Sequence, residues 1–126
     1  MGTLKILVVE DEPIIRDLIV DFLTGEGFEP IAVADGGQAV ALATQERPDL
    51  ILLDMMLPAV DGASVLRLLR DNPRTRSIRV IAMSADERQL RVARSLKVSE
   101  VLPKPFNLLD LLDLIAAPAV SPAESR

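Results

Sequence analysis

The residues of this 126-residue sequence best suited to chemistry are three acids, a serine and a lysine, each directly after a short apolar run. In chain order they are Glu10 and Asp11, Asp54, Ser84 and Lys104. Two unit charges about 5 Å apart at an effective dielectric of about 20 repel by roughly 3 kcal/mol, so three converging carboxylates need a cation. With no histidine or cysteine in the chain, oxygen ligands favour Mg²⁺, with Mn²⁺ as the alternative. A divalent cation, an ammonium, a hydroxyl and a nucleophilic carboxylate are the groups that phosphoryl transfer requires.

The composition removes several other chemistries. The absence of histidine and cysteine excludes a Ser-His-Asp triad, imidazole acid–base catalysis, thiolate chemistry and zinc–thiolate sites. Fourteen Lys and Arg against nineteen Asp and Glu give a net charge of −5, so we expect no direct binding to nucleic acid. Charged residues interrupt every long apolar run, and acids come too early for a signal peptide. We therefore expect a cytoplasmic protein with no membrane association.

The elements that must position these groups alternate along the chain. Short apolar runs predict strands at residues 4–9, 30–34, 50–53, 78–83 and 101–102. Helical periodicity predicts helices from residue 13 to the glycines at 25 and 27, over 37–46, 63–70 and 87–96, and from an N-cap at 107 to 115. This alternation predicts an α/β fold with a five-stranded parallel sheet covered by helices on both faces. Ligands of such sheets bind outside the carboxyl ends of the strands, which is where the acids fall.

The first predicted helix carries one apolar face, formed by Ile14, Ile15, Leu18, Ile19, Phe22 and Leu23. At the other end of the chain, Pro118 stops the last helix. We therefore expect one domain over residues 1–117 and a flexible tail or truncated linker over 118–126.

Four segments resemble the receiver domain of two-component response regulators. They are VVEDEP at residues 8–13, LDMMLP at 53–58 followed by DG at 61–62, MSA at 83–85, and LPKPF at 102–106. Each segment is modestly specific alone, but their order and spacing together are very specific, and the resemblance runs from about residue 4 to 115. It implies a doubly wound, flavodoxin-like sheet with strand order 2-1-3-4-5.

The resemblance also implies a function in phosphorelay signalling. Asp54 would be the phosphoacceptor, taking a phosphoryl group from the phosphohistidine of a sensor histidine kinase or a histidine phosphotransfer protein. Mg²⁺ would be held by Glu10, Asp11, Asp54 and the backbone carbonyl of Met56. The domain would catalyse only its own phosphorylation and dephosphorylation, so it would not be an enzyme, and it would control a partner or output domain by changing conformation.

Further roles follow from the same resemblance. Lys104 would pair with the phosphoryl oxygens, and its peptide bond to Pro105 would be cis. Ser84 would hydrogen-bond a phosphoryl oxygen and draw the loop after the fourth strand toward the site. Val101 stands where many receivers carry a tyrosine or phenylalanine that switches rotamer. Without that ring, we expect the signal to depend on loop and helix movement.

The charges of the last two helices suggest self-association. The fourth predicted helix carries basic residues at three-residue spacing, and the fifth carries acids at the same spacing; these are Arg88, Arg91, Arg94 and Lys97, and Asp110 and Asp113. They are either two solvated faces or the two sides of a homodimer through the fourth helix, fifth strand and fifth helix.

Three alternative functions compete with that of a receiver. A haloacid-dehalogenase-type phosphatase needs a general acid two residues after its nucleophile, where this chain has Met56. A flavodoxin-like cofactor binder needs a first loop hospitable to phosphate, which residues 10–12, all acidic, would repel. A receiver-like docking module that works without phosphorylation remains as the alternative, and the intact acid, serine and lysine set argues against it.

Overall fold

Five strands alternate with five helices in the computed structural model, which describes residues 3–117. The strands are β1 (Lys5–Val9), β2 (Glu29–Val33), β3 (Leu50–Asp54), β4 (Arg79–Ser84) and β5 (Glu100–Pro103). The helices are α1 (Pro13–Gly25), α2 (Gly36–Glu46), α3 (Gly62–Asp71), α4 (Glu87–Ser95) and α5 (Leu108–Ala116). The tail predicted at 118–126 lies outside the described residues.

The strands form one parallel sheet in the order β2-β1-β3-β4-β5, which confirms the predicted fold class and strand order. The register aligns Val8 with Leu52 and Leu52 with Ile81, so the three central strands are level with one another. The strand order reverses between β1 and β3. The loops after these two strands therefore face each other across the crevice where open α/β sheets bind ligands.

Two hydrophobic layers cover the faces of the sheet. Alternate residues of each strand point to opposite faces, so Leu7 and Leu53 pack on one side while Ile6 and Leu52 pack on the other. Helices α2, α3 and α4 cover the first side, and α1 and α5 cover the second. Because the central strands are buried on both faces, they are continuous apolar runs, as parallel strands usually are.

Four of the helices begin with a side-chain cap. Asp35, Asp61, Asp86 and Asn107 each accept a hydrogen bond from a backbone N–H in the first turn of α2, α3, α4 and α5 respectively. Helix α1 begins instead with Pro13, whose fixed φ suits the first helical position. None of the helices within residues 3–117 combines the length and the apolar character needed to cross a bilayer.

Helix α1 covers its apolar face only in part. Ile19 and Leu23 are buried against the sheet, but Ile14 is 84% exposed and Leu18 is 54% exposed. The six apolar residues share one side of the helix as the periodicity predicts, and the core buries only part of that side.

Candidate functional site

Asp54 is the last residue of β3 rather than the first residue after it, so the sheet ladder holds its backbone. Asp54 pairs in register with Met83 of β4, and the next amide, that of Met55, donates to the Met83 carbonyl at 2.9 Å. The Asp54 carboxylate is only 3% exposed, and its Oδ1 accepts the backbone N–H of Met56 at 2.9 Å. The carboxylate is thus fixed at the carboxyl end of the sheet before any ligand binds.

Glu10 and Asp11 come directly after β1 on the other side of the crevice. The Glu10 amide donates to the Val33 carbonyl at 3.1 Å, which continues the pairing of β1 with β2. Glu10 is fully buried and Asp11 is half-buried. One carboxylate oxygen of each lies within 4.8 Å of the others and of an Asp54 oxygen. These three acids, the acidic cluster, therefore converge as the sequence predicted from their places at the strand ends.

Lys104 supplies the nearest positive charge. Its backbone amide donates to the Ser84 carbonyl at 2.8 Å, which continues the pairing of β5 with β4, and its bond to Pro105 is cis. Its Nζ lies 2.8 Å from Glu10 Oε1 and 3.2 Å from Asp54 Oδ2. One ammonium against three carboxylates leaves an excess of negative charge, so the cluster is suited to a further cation.

The pKa values in the cluster reflect burial and mutual attraction. Burial raises the pKa of Glu10, the hydrogen bond from Lys104 opposes this, and the charge of Asp54 adds to the rise, so the pKa lies above the ordinary value. Burial works to lower the pKa of Lys104, but its hydrogen bond to Glu10 and the charges of both acids outweigh burial and raise the pKa. Lys104 therefore stays charged at neutral pH.

A cavity of about 280 Å³ opens over these groups. It is lined by Glu10, Asp11, Glu12, Ile15, Asp54, Met56, Ala85 and Lys104. Ser84 is fully buried at the end of β4, and its Oγ accepts the backbone N–H of Asp86 at 3.0 Å. Val101 lies elsewhere, half-buried on β5 opposite Ala82. The cavity therefore leaves open space over the acidic cluster and Lys104.

Two features of the site were missed by the sequence reasoning. Ile15 and Ala85 form apolar walls of the acidic cavity, and Ile15, which the helical pattern placed on the apolar face of α1, also packs against the core. Gly62 packs where a Cβ would come 2.4 Å from Met55 Cα, and its amide donates to the Met55 carbonyl at 3.1 Å. The sequence pair Asp61-Gly62 could have indicated this contact, because a glycine at the start of a helix permits close approach of another backbone segment. Gly62 therefore holds the start of α3 against the loop that carries Met56.

Comparison with known proteins identifies this arrangement. Residues 6–116 match the model of the response regulator receiver domain family. The chain is 34% identical over 113 residues to sporulation initiation phosphotransferase F of Bacillus subtilis, covering 88% of this chain and 90% of that protein. It is 33% identical over 115 residues to the DNA-binding response regulator MtrA of Mycolicibacterium smegmatis, covering 90% of this chain and 49% of that protein.

Solved structures agree with the sequence relatives. The receiver domain of the sensor histidine kinase PA1611 from Pseudomonas aeruginosa, solved with a magnesium ion in its active-site cleft, superimposes with a TM-score of 0.84 at 33% identity, covering 90% of this chain and 95% of that one. The chemotaxis response regulator CheY4 of Vibrio cholerae gives 0.85 at 25% identity, covering 90% and 97%. The chain spans about half the length of MtrA and of two other curated relatives, with 46% to 49% of each covered. With the family match, the relatives and the fold in agreement, this chain belongs to the receiver domain family of two-component response regulators.

Proposed function

We propose that Asp54 accepts a phosphoryl group from the phosphohistidine of a sensor histidine kinase or a histidine phosphotransfer protein. The observation that carries this proposal is the Asp54 carboxylate, rigidly held at a strand end, 3.2 Å from the Lys104 ammonium and in reach of two further carboxylates. The Lys104 ammonium offsets part of the negative charge of the Asp54 carboxylate. The carboxylate also lines the open cavity, from which an electrophile can approach it.

The proposed transfer follows from these contacts. An oxygen of Asp54 forms a bond to phosphorus as the N–P bond of the phosphohistidine breaks, and the bonding pair returns to the imidazole nitrogen. The proton on the other ring nitrogen keeps the departing imidazole neutral. Lys104 then pairs with a phosphoryl oxygen instead of with Asp54 alone. Because the chain modifies itself rather than a separate substrate, it acts as a signalling module.

The donor set fits Mg²⁺, and Mn²⁺ would accept the same ligands. Glu10, Asp11 and Asp54 offer hard oxygen atoms within 4.8 Å of one another, and the backbone carbonyl of Met56 would complete the protein ligands. When bound, the ion neutralises negative charge on the transferring phosphoryl oxygens. Among residues 3–117, Lys104 is the one cation within 4.0 Å of these carboxylates, so two of the three negative charges remain for a divalent cation to offset.

The phosphodonor would dock on the apolar surface beside the acidic cavity. A groove of about 390 Å³ is lined by Ile15, Leu18, Ile19, Ala85, Lys104, Pro105, Phe106 and Leu108. Three of these residues, Ile15, Ala85 and Lys104, also line the acidic cavity, so the groove and cavity are continuous. A partner that brings a phosphohistidine to Asp54 would lie across this groove, where the exposed Leu18 supplies apolar contact.

Ser84 would transmit the phosphorylated state. Its hydroxyl oxygen accepts the Asp86 amide, and the hydroxyl proton can be donated to a phosphoryl oxygen on Asp54. Such a bond would pull on the segment between β4 and α4, because Asp86 also caps α4 through the Arg88 amide at 2.8 Å. With Val101 in place of an aromatic residue on β5, the proposed switch consists of this loop and helix movement, which biases two conformations that control a partner or output domain.

Phosphorylation could also promote a homodimer through α4, β5 and α5. On α4, Arg88 pairs with Asp86 at 3.5 Å and Arg94 with Glu87 at 3.3 Å. Arg91 makes no ion pair within residues 3–117 and is exposed. The acids Asp110 and Asp113 on α5 are exposed as well and could meet it across a two-fold axis. Sedimentation of the phosphorylated protein at several concentrations tests the dimer, which a persistent monomer would rule out.

The phosphoacceptor role is tested by intact mass after incubation with Mg²⁺ and acetyl phosphate. We expect one added phosphoryl group, lost in Asp54→Asn and on chelation of Mg²⁺ but retained in Asp21→Asn, a matched change at an exposed acid of α1. Absence of both an adduct and beryllofluoride binding would replace the proposal with the docking module that works without phosphorylation. Beryllofluoride binding without an adduct would indicate an intact site that either requires the kinase for phosphorylation or hydrolyses the phosphoryl group rapidly.

A further inference from the structure

Positive charge is concentrated in one stretch of this acidic chain. Residues 67–97 contain nine Lys and Arg and three Asp and Glu, a net charge of +6. The remainder contains five Lys and Arg and sixteen Asp and Glu, a net charge of −11. So uneven a distribution produces a local positive field on a molecule whose overall charge repels anions.

The side chain of Arg70 binds two segments of this basic stretch at one end of the sheet. Its Nη1 donates to the carbonyls of Arg76 at 2.9 Å and Ile78 at 3.0 Å, and its Nη2 donates to the carbonyl of Lys97 at 3.1 Å. The loop between α3 and β4 and the turn between α4 and β5 are therefore bound to the same guanidinium. The backbones at Arg76 and Lys97, 21 positions apart in the sequence, are brought together by that contact.

The loop between α3 and β4 is held rigidly. Thr75 is buried, and its hydroxyl donates to the Leu69 carbonyl at 2.7 Å. The amides of Arg74 and Arg76 donate to the side-chain and backbone oxygens of Asn72, both at 2.9 Å. Little backbone entropy would be lost when this loop meets a partner.

Three exposed cations on this end lack an acidic partner. Arg74, Arg76 and Lys97, which we call the basic surface, are exposed, and across residues 3–117 none lies within 4.0 Å of a carboxylate oxygen. One exposed acid, Asp71, stands at the end of α3 nearby. The basic surface lies at the amino ends of β4 and β5, whereas Asp54 lies at the carboxyl end of the sheet. A strand of six residues separates the two by roughly 15–20 Å.

We propose that the basic surface binds an acidic segment of a protein partner, a run of several Asp or Glu residues. A nucleic acid or an anionic membrane presents negative charge over an area much larger than three side chains. The remaining −11 of the chain would repel such an extended surface. A short acidic peptide reaches the three cations without meeting the acidic parts of the molecule. The site is separate from the phosphoacceptor and does not depend on phosphorylation.

The test uses the full chain and a fluorescein-labelled peptide of eight glutamates, titrated by fluorescence anisotropy at low salt. We expect weak, salt-sensitive binding that falls about tenfold in the triple variant Arg74→Gln/Arg76→Gln/Lys97→Gln. The matched single change Arg47→Gln, at an exposed arginine outside the basic stretch, should leave binding unchanged. The charge-preserving triple variant Arg74→Lys/Arg76→Lys/Lys97→Arg should bind the peptide within about twofold of the wild type.

Two results would overturn the proposal. Equal binding by the wild-type chain and a triple glutamine variant whose far-UV spectrum and thermal midpoint are unchanged would show that the basic surface does not engage the peptide. Tighter binding to a DNA duplex or to phosphatidylserine vesicles than to the peptide, under the same salt, would assign the surface to a different class of partner.

Discussion

Replacing Lys104 by methionine should lower the free energy of unfolding by about 2–3 kcal/mol at pH 7.5 without divalent cations. Lys104 Nζ lies 2.8 Å from Glu10 and 3.2 Å from Asp54, and the three side chains are 20%, 0% and 5% exposed. At an effective dielectric of about 20, each contact attracts by roughly 5–6 kcal/mol before desolvation is subtracted. Removing the ammonium leaves two buried carboxylates facing each other.

The loss has an upper limit, because the variant can protonate one acid. Protonating an ordinary glutamate at pH 7.5 costs about 4.4 kcal/mol. Burial already raises the pKa of Glu10, so the cost is smaller there. The expected loss is therefore about 2–3 kcal/mol, a large part of the roughly 5–15 kcal/mol by which domains are stable.

The assay is urea unfolding in EDTA, followed by circular dichroism because the chain has no tryptophan or tyrosine. The matched control is Arg47→Met, at an exposed arginine with no ion pair in the described part of the chain. The double variant Glu10→Gln/Lys104→Met removes one of the two facing charges and should recover part of the loss. A loss below about 1 kcal/mol for Lys104→Met, or no recovery in the double variant, would refute this account of the cluster.

The same variant should show a characteristic dependence on pH and Mg²⁺. A folded-state pKa of Glu10 above its unfolded value means that the folded state binds more protons, so stability falls as pH rises through this range. Removal of Lys104 strengthens that effect. The difference in the free energy of unfolding between Lys104→Met and the wild type should therefore shrink as the pH falls from 7.5 to 5.5. Added Mg²⁺ should stabilise Lys104→Met more than the wild type if it binds the less neutralised cluster more tightly. A deficit independent of both would contradict the electrostatic origin.

Three further changes test how the scaffold holds the site. Gly62→Ala should destabilise by about 1–3 kcal/mol in urea unfolding, because its Cβ would lie 2.4 Å from Met55 Cα. Gly37→Ala, whose Cβ would make only an ordinary contact of 3.4 Å with Asp35 Oδ1, should be neutral or stabilising. Asp61→Ala should lower the free energy of unfolding by about 1 kcal/mol through loss of the α3 cap. Because the hydrogen bond of that cap lowers the pKa of Asp61, the greater stability of the wild type should fade as the pH drops below about 4. Arg79→Met should cost about 1–3 kcal/mol and speed hydrogen exchange in α5, whose last carbonyls its guanidinium binds; unchanged exchange would contradict this role.

The sequence was sufficient for the fold and for most of the acidic cavity. Parallel strands buried on both faces leave continuous apolar runs, so the strands could be found without tertiary information. The polar residues that follow such runs share one edge of the sheet, and this places Glu10, Asp54 and Lys104 together. The strand order could not be predicted in this way, because pairing between distant strands leaves no local signature in the sequence. It came from the resemblance to receivers.

Local patterns did not predict the contacts of the long side chains. Arg70 and Arg79 look like ordinary surface residues of a helix and a strand, yet each donates to backbone carbonyls of elements distant in the sequence. The reach of a guanidinium and its several donors make such contacts depend on which loop ends lie nearby, and only the folded chain determines that.

The exposure of the apolar face of α1 also depends on the folded chain, and it leads to a functional point. Helical periodicity identifies which residues share a stripe, but the width of the core decides how much of the stripe is covered. Leu18, in the uncovered part of α1, lines the apolar groove that is continuous with the acidic cavity. Exposed apolar area lowers solubility and has no folding benefit, so the position of Leu18 in this groove favours a docking role over an accident of packing. The proposed phosphoacceptor and the proposed surface for its donor would thus be built from one strand end and one helix.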